Sequence, residues 1–126
     1  MLNSVLLRKT FLGLTLAALA ASPSYATVVG AGVSVMPSFH TGACPFTFKF
    51  VGKIESDTGG VVRYRWIRSD GATAPIQRLE FRGPGTRMVD TTWELSPAHF
   101  RGWEAIRVLS PNSYESNKAT FELTCK

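Results

Sequence analysis

Hydrophobic and polar residues alternate along much of the chain, and the alternation is cleanest in two neighbouring runs. Residues 46–54 separate Phe46, Phe48, Phe50 and Ile54 from Thr47, Lys49, Val51 and Lys53. Residues 60–71 likewise separate Val62, Tyr64 and Trp66 from Arg63, Arg65 and Ile67. Because successive side chains of a strand point to opposite sides of the sheet, both runs predict strands with one buried face. Gly52 leaves room on the buried face, and we expect Trp66 to fill it.

Four further runs show the same period. Their inward positions are Leu79 and Phe81 in 77–82, Val89, Thr91, Trp93 and Leu95 in 87–95, Ile106 and Val108 in 103–109, and Ala119, Phe121, Leu123 and Cys125 in 118–125. Turn-forming residues separate the runs, and the connection at 96–100 could hold one helical turn. Six clear strands and a doubtful seventh at 27–39 predict an all-β, antiparallel, immunoglobulin-like sandwich of two sheets and about seven strands. A small β-barrel is the alternative fold.

The first 26 residues have the composition of a cleaved secretory signal peptide. Arg8 and Lys9 precede an apolar run over 10–21, which is too short to cross a bilayer as a helix, and small residues end the segment at Ala26. We therefore expect a signal peptide at 1–26, a flexible lead-in or edge strand at 27–43 and a β-sandwich domain at 44–126. The mature protein is expected to be periplasmic or secreted, without membrane insertion.

The chain has two cysteines, Cys44 and Cys125, both in the part expected to be exported. An even count in an oxidising compartment predicts one disulfide, which joins the start of the domain to its last strand. Adding His40 and His99 would make a Cys2His2 zinc set, but the spacing lacks the close ligand pairs of zinc modules. A cysteine nucleophile with either histidine would require reduced thiols. We therefore expect the disulfide, with no metal and no cofactor.

The glycine, aromatic and cysteine residues follow a recognisable order: Cys44-Pro45, Phe50-x-Gly52-x-Ile54, Gly60-x-Val-x-Tyr-x-Trp-x-x-Ser-Asp-Gly-Ala72, Trp93, Gly102-Trp103 and Ser116-Asn-x-Ala-x-Phe-x-Leu-x-Cys125. This order resembles small exported bacterial proteins of immunoglobulin-like or fibronectin type III-like build. The cysteines lie at the domain ends, whereas in antibody domains they flank the tryptophan. The resemblance implies a sandwich architecture and carries no function with it.

Charge and motifs exclude several functions. The net charge of +5 becomes +3 if Arg8 and Lys9 are removed with the signal peptide. Acidic residues are interleaved with the basic ones, so we expect no nucleic-acid partner. The chain has no Gly-x-Ser-x-Gly, phosphate-binding or His-Glu-x-x-His motif, and Asp57, Asp70 and Asp90 fall at turns or outward positions. We therefore expect no enzyme activity.

One predicted surface has the chemistry of a binding site. If the strands at 61–69, 103–109 and 118–125 share a sheet, their outward side chains form one face. The candidate binding face is Arg63, Arg65, Ile67, Trp103, Arg107 and Leu109, bordered by Thr120, Glu122 and Thr124. Tryptophan and arginine among aliphatic residues are typical of protein–protein hot spots, although arginines along an exposed strand also serve solubility.

These features favour an exported, non-enzymatic binding module of the bacterial envelope that recognises another envelope or extracellular protein. A small secreted or periplasmic inhibitor or immunity-type protein of a hydrolase is the alternative, motivated by size, export and the disulfide. A carbohydrate-binding module is a weaker alternative because, with Trp66 and Trp93 inward, only Trp103 is free to stack on a sugar. Neither the partner nor the oligomeric state follows from the sequence.

Overall fold

The computed structural model describes residues 26–126, so the predicted signal peptide, up to residue 25, lies outside the described residues. In residues 26–126 there are nine strands: β1 (Val28–Val35), β2 (Phe39–Gly42), β3 (Phe46–Ser56), β4 (Gly60–Arg68), β5 (Gln77–Phe81), β6 (Gly85–Leu95), β7 (His99–Ser110), β8 (Tyr114–Glu115) and β9 (Ala119–Cys125). This part of the chain contains no helix long and apolar enough to span a membrane.

The strands form two separate sheets that pack face to face. Sheet A has three antiparallel strands in the order β1-β3-β6, and sheet B has the order β2-β9-β7-β4-β5, with β8 paired to β7. Strands β4, β7 and β9 share sheet B, as the immunoglobulin-like order requires. The predicted sandwich is confirmed and the alternative of a barrel is wrong, because the apolar faces are buried between two sheets that do not close into one. One pairing departs from the antiparallel pattern, since β2 runs parallel to β9.

Three strands lie outside the six runs of clean alternation. The 27–43 segment forms β1, which pairs with β3, and β2, which pairs with β9, while β8 is a two-residue strand beside β7. Strand β7 begins at His99, so the connection at 96–100 does not contain the helical turn that the sequence allowed. The extension places the Phe100 ring 5.6 Å from that of Trp93 and 5.9 Å from that of Phe121. Aromatic packing therefore stabilises a strand where the local sequence permitted a turn.

Most of the core consists of residues that the alternation placed inward, and Ala26, Val28, Val33 and Ala105 are buried as well. Fully buried side chains include Phe48, Phe50, Ile54, Val62, Ile106 and Leu123. Gly52 makes the contact expected from the sequence, since a Cβ built there would lie 3.1 Å from Trp66 Cη2 and 2.5 Å from Ile106 Cδ1. Glycine is needed at this position because the two sheets approach too closely to admit a side chain.

The disulfide between Cys44 and Cys125 joins the connection before β3 to the end of β9, with a Cα–Cα distance of 5.6 Å. This confirms the predicted pairing. Both sulfur atoms are used in the bond, so they cannot serve the zinc set or the cysteine nucleophile considered above. The bond spans a sequence separation of 81 residues, for which loop-closure entropy gives about 4 to 5 kcal/mol of stabilisation.

Two asparagines form hydrogen bonds with main-chain groups of β1 that point outward at the edge of sheet A. The Asn112 amide accepts a hydrogen bond from Val28 N–H (2.8 Å) and donates one to the Val28 carbonyl (3.0 Å). Asn117 makes the same pair of bonds with Val33, both at 2.9 Å. Each amide thereby supplies the donor and acceptor that a neighbouring strand would provide. Because both asparagines follow β7 of sheet B, they also tie the two sheets together.

Candidate functional site

The six residues of the predicted face lie on two neighbouring strands of sheet B. They alternate with the buried residues of β4 and β7, so their side chains point away from the core. The register places Arg65 opposite Arg107 and Ile67 opposite Ala105. We call this surface the arginine face; its members are Arg63, Arg65, Ile67, Trp103, Arg107 and Leu109.

Four of the six residues line one shallow depression of about 270 Å³, which we call the Arg65 depression. Its lining combines the loop at 71–74 with Arg65, Ile67, Trp103 and Arg107. The loop returns along β4 through a bridge between Thr73 and Ile67. A concave surface therefore arises where strand alternation by itself would produce a flat one.

The arginines of this region differ in their acidic partners. Arg107 Nη2 lies 2.8 Å from Glu115 Oε2 of β8, so its charge is paired. Arg63 lies opposite Arg78 of β5, and Arg65 lies opposite Arg107. In the described part of the chain, Arg63, Arg65 and Arg78 form no ion pair, and Arg65 Nε is buried without a hydrogen-bond partner. Neighbouring cations without acids give this surface a positive potential.

Leu109 and Arg63 lie outside the Arg65 depression. Leu109 is partly exposed and lines a second depression, of about 380 Å³, together with Arg107 and the segment 113–115. Arg63 lies between Ser110 and Arg78 in the sheet register. The structure thus divides the predicted face into a compact group of four residues and two flanking ones.

Trp103 also borders a larger groove, which we call the Phe39 groove. The groove has a volume of about 700 Å³, and its lining includes Phe39, Arg101, Trp103 and Glu122. Phe39 is 68% exposed, which makes it the most accessible aromatic ring in the described residues. Lys118 Nζ lies 4.6 Å from the centre of the Trp103 ring, so a cation covers one face of that indole.

The two histidines have local partners. His40 stacks on Phe46 with ring centroids 3.7 Å apart. His99 Nε2 donates a hydrogen bond to Glu122 Oε2 at 2.9 Å, and Arg101 Nε lies 3.4 Å from the same oxygen. The hydrogen bond from His99, with the nearby positive charges, holds the pKa of Glu122 below its usual value. In the described residues no group of three or more His, Cys, Asp or Glu side chains is placed to hold a metal ion.

Glu104, which the sequence pattern did not single out as a functional residue, is the most unusual ionisable group described. Glu104 lies on the inner face of β7, is 2% exposed, and its Oε1 has no hydrogen-bond partner in the described chain. Burial raises the pKa of Glu104 to about 7; the charge of Arg68 opposes this shift and that of Asp70 adds to it. The alternation that places Ile106 and Val108 inward also places residue 104 inward, so the sequence did contain the signal.

Arg68 links Glu104 to the aromatic core. The two residues are opposite each other in the β4–β7 register. The Arg68 guanidinium carbon lies 4.0 Å from the centre of the Trp93 ring, and Nη2 lies 2.6 Å from Asp70 Oδ2. The hydrogen bond from Arg68 lowers the pKa of Asp70. With a pKa of about 7, the Glu104 carboxyl can bind and release a proton near neutral pH.

Comparison with known proteins identifies the fold and nothing finer. No protein-family model matches the chain, and no curated protein matches it in sequence. The CARDB domain of a Pyrococcus furiosus protein, solved in complex with di-metal ions, is similar with a TM-score of 0.58 and 9% identity, over 83% of this chain and 97% of that one. A β-glucosidase from Erythrobacter marinus is similar with a TM-score of 0.59 and 10% identity, over 82% of this chain and 16% of its own. At these identities the likeness shows a small immunoglobulin-like β-sandwich.

Proposed function

We propose that the protein is an exported, non-enzymatic binding module that recognises an acidic surface of another envelope or extracellular protein. The Arg65 depression carries the proposal, because Arg65, Ile67, Trp103 and Arg107 combine cationic, aromatic and aliphatic groups in one concave surface. Tryptophan and arginine are the residues that most often dominate protein–protein binding energy. The immunoglobulin-like fold hosts many functions, so it is compatible with this role without specifying the partner.

Unpaired charge is the expected source of specificity. Arg63, Arg65 and Arg78 lack acidic partners in the described residues, so carboxylates on a partner can bind them without first displacing an internal acid. Trp103 and Ile67 would supply the apolar contact around these charges. Binding of this kind weakens as salt concentration rises.

The disulfide supports a periplasmic or extracellular location. Disulfides persist in oxidising compartments, and Cys44 is bonded to Cys125. We infer that residues 1–26 are removed during export, so the mature chain should begin at Thr27. Amino-terminal sequencing of protein from the envelope or the culture medium tests this inference. An uncleaved chain that stays in the cytoplasm would contradict it.

Affinity capture with crosslinking tests the binding role. The full chain is expressed with a carboxyl-terminal tag, and envelope proteins captured by the wild type are compared with those captured by Arg65→Ala/Trp103→Ala. We expect a tenfold or greater loss of the partner, since two hot-spot residues each contribute about 1 kcal/mol or more. The matched control is Lys49→Ala/Lys53→Ala, which removes two exposed cations from the outer face of sheet A and should leave capture unchanged.

The outcomes separate the candidate roles. Equal capture by the wild type and the Arg65→Ala/Trp103→Ala protein would reject the arginine face as the binding site. An equal loss of capture by the lysine control would show that the loss results from lower net charge and not from this particular surface. Capture of a hydrolase that the purified protein inhibits would favour the inhibitor or immunity-type alternative. Capture of a partner without any such inhibition would favour the binding module.

The Phe39 groove favours a second candidate function, the binding of a carbohydrate. Phe39 and Trp103 both line this groove, so two aromatic rings are available to stack on a sugar, whereas the sequence predicted only Trp103. Arg101 and Glu122, in the same lining, can hydrogen-bond sugar hydroxyl groups. Lys118 already covers one face of Trp103, which makes this the secondary candidate. A glycan array that gives a signal with the wild type and none with Phe39→Ala would favour it; no signal with the wild type would reject it.

A further inference from the structure

The two edge strands of sheet A differ in whether their outward main-chain groups have hydrogen-bond partners. At β1, Asn112 and Asn117 bond the outward main-chain groups of Val28 and Val33. At the opposite edge, β6 has 11 residues and, in the described chain, pairs only with β3. No proline, lysine or β-bulge interrupts β6. A regular edge strand of this length is a template for pairing with another strand.

The hydrogen-bonding phase of β6 follows from that of β3. Met36 N–H donates to the Lys49 carbonyl, so odd-numbered residues of β3 face β1 and even-numbered ones face β6. Even-numbered residues of β3 lie opposite odd-numbered residues of β6, such as Phe50 opposite Thr91. The even-numbered residues of β6 therefore turn their N–H and C=O groups to the open edge; they are Thr86, Met88, Asp90, Thr92 and Glu94. These groups make no hydrogen bond to another described residue's main chain.

We propose that this edge pairs antiparallel with the β6 edge of a second copy of the chain, joining two three-stranded sheets into one of six strands. An antiparallel pair of identical strands is self-complementary about a two-fold axis. Pairing is possible only where even-numbered residues meet even-numbered residues, because these are the ones with main-chain groups at the seam. This restriction leaves a small set of registers, which the side chains distinguish.

The side chains favour the register centred on Met88. In this register Met88 lies opposite Met88 of the second copy, and Asp90 lies opposite its Thr86. Met88 is 62% exposed in the single chain and would be covered by its counterpart. A register centred on Asp90 would place two carboxylates directly opposite each other, which is destabilising. Among the registers centred on an even-numbered residue of β6, the one centred on Met88 combines an apolar centre with no facing acids, which makes it the favourable one of this set.

This dimer would present two binding surfaces to one side. The two-fold axis is perpendicular to the joined sheet, so both copies of sheet B lie on the same side of it and both Arg65 depressions face the same way. A partner with repeated acidic sites would then be held by both copies with a gain from effective concentration. The dimer does not depend on the proposed binding role, because the β6 edge and the arginine face belong to different sheets.

Sedimentation velocity over a concentration series tests the pairing on protein purified after export of the full chain. We expect a monomer–dimer equilibrium for the wild type. Met88→Lys should raise the dissociation constant by about tenfold or more, because two lysines would face each other and the methionine contact would be lost. The matched control is Met36→Lys, at an 84% exposed position next to the opposite edge of sheet A, which should dimerise like the wild type. Both side chains are exposed, and thermal unfolding checks that each variant stays folded.

Oxidative crosslinking of variants that carry one added cysteine tests the register of the proposed β6–β6 pairing. Met88→Cys should form an intermolecular disulfide readily, because directly opposite Cβ atoms lie about 5 Å apart, whereas Asp90→Cys should not. The proposal is overturned by a monomer at every concentration, by equal weakening with Met36→Lys, or by faster crosslinking at position 90 than at 88. Crosslinking of Met88→Cys to a different envelope protein in preference to its own copy would also overturn it, since the edge would then pair with a foreign strand.

Discussion

Two neighbouring cross-strand pairs on the inner face of sheet B show two different uses of the same alternation. Trp66 lies opposite Ile106, and two residues further along β4 Arg68 lies opposite Glu104. The first pair is apolar and packs against Gly52 so closely that no side chain fits there. The second pair is ionisable, and its acid is 2% exposed.

Alternation therefore predicts which way a side chain faces, but it does not predict whether the surroundings of that side chain can accommodate a polar or charged group. The Trp66–Ile106 pair lies between the two sheets, where both side chains and Val89 pack around Gly52. The Arg68–Glu104 pair lies where β4 ends, so Asp70 in the following turn and the Trp93 ring can hold the guanidinium. The Glu104 carboxyl can be buried at this end of β4 because it can remain protonated, and the neighbouring Arg68 cation has its own partners in Asp70 and Trp93.

The largest effect is expected at the ionisable pair and appears as a pH dependence. The pKa of Glu104 is about 7 in the folded protein, against an ordinary value of 4.5. The folded state therefore holds this proton more tightly than the unfolded state, and its stabilising contribution is complete below pH 4.5 and lost as pH rises through 7. The loss amounts to about 3 kcal/mol. Urea unfolding of the wild type and Glu104→Gln across this range should show the fall in the wild type alone.

The acids with lowered pKa values, Asp70 and Glu122, titrate below this window, so they do not mask it. If the free energies of unfolding of the wild type and Glu104→Gln differ by the same amount at pH 4.5 and at about pH 8, Glu104 does not titrate as described.

The second effect is expected at the apolar pair. Gly52→Ala forces a methyl group against Ile106 and Trp66, and overpacking of this kind costs about 1 to 3 kcal/mol. Gly32→Ala is the matched control, because a Cβ there meets nothing nearer than Lys53 Cε at 3.4 Å. We expect the control to change the free energy of unfolding by about 0.5 kcal/mol or less. Equal destabilisation by the two alanines would show that the close approach at Gly52 is not what requires glycine.

The smallest effect is expected from Arg68→Met. Removing the cation takes away the charge that favours ionised Glu104, so the pKa of Glu104 should rise further and the fall in stability, which still begins near pH 4.5, should continue to a higher pH. Loss of the contact with Trp93 should cost about 0.5 to 1 kcal/mol. Arg107→Met, on the outer face, should leave the midpoint of the pH dependence in place. A midpoint that moves down with Arg68→Met would contradict the assigned role of the cation.

The fold could be predicted from the sequence because its evidence is local. Period two over β3, β4, β5, β6 and β9 assigned inward and outward faces correctly, and Gly52 indicated the closeness of Trp66 without any knowledge of the sheet order. The start of β7 could not be predicted, since the ring of Phe100 stabilises the strand through Trp93 and Phe121, which are distant in sequence from one another. Glu104 was missed although its phase was readable, because its burial contradicts the ordinary preference of a carboxyl for water.

Three features follow from the amino-acid pattern alone: which side chains face the core, that the cysteines pair, and which arginines share an outer face. Each of these follows from side-chain spacing or from the small number of ways to combine two cysteines. Three other features arise only when distant segments come together in the folded chain: loop 71–74 makes that face concave, Asn112 and Asn117 complete β1 from 84 residues away, and the outer edge of β6 stays unpaired. Those features depend on contacts between distant segments, and no local pattern specifies which main-chain groups a distant side chain will reach.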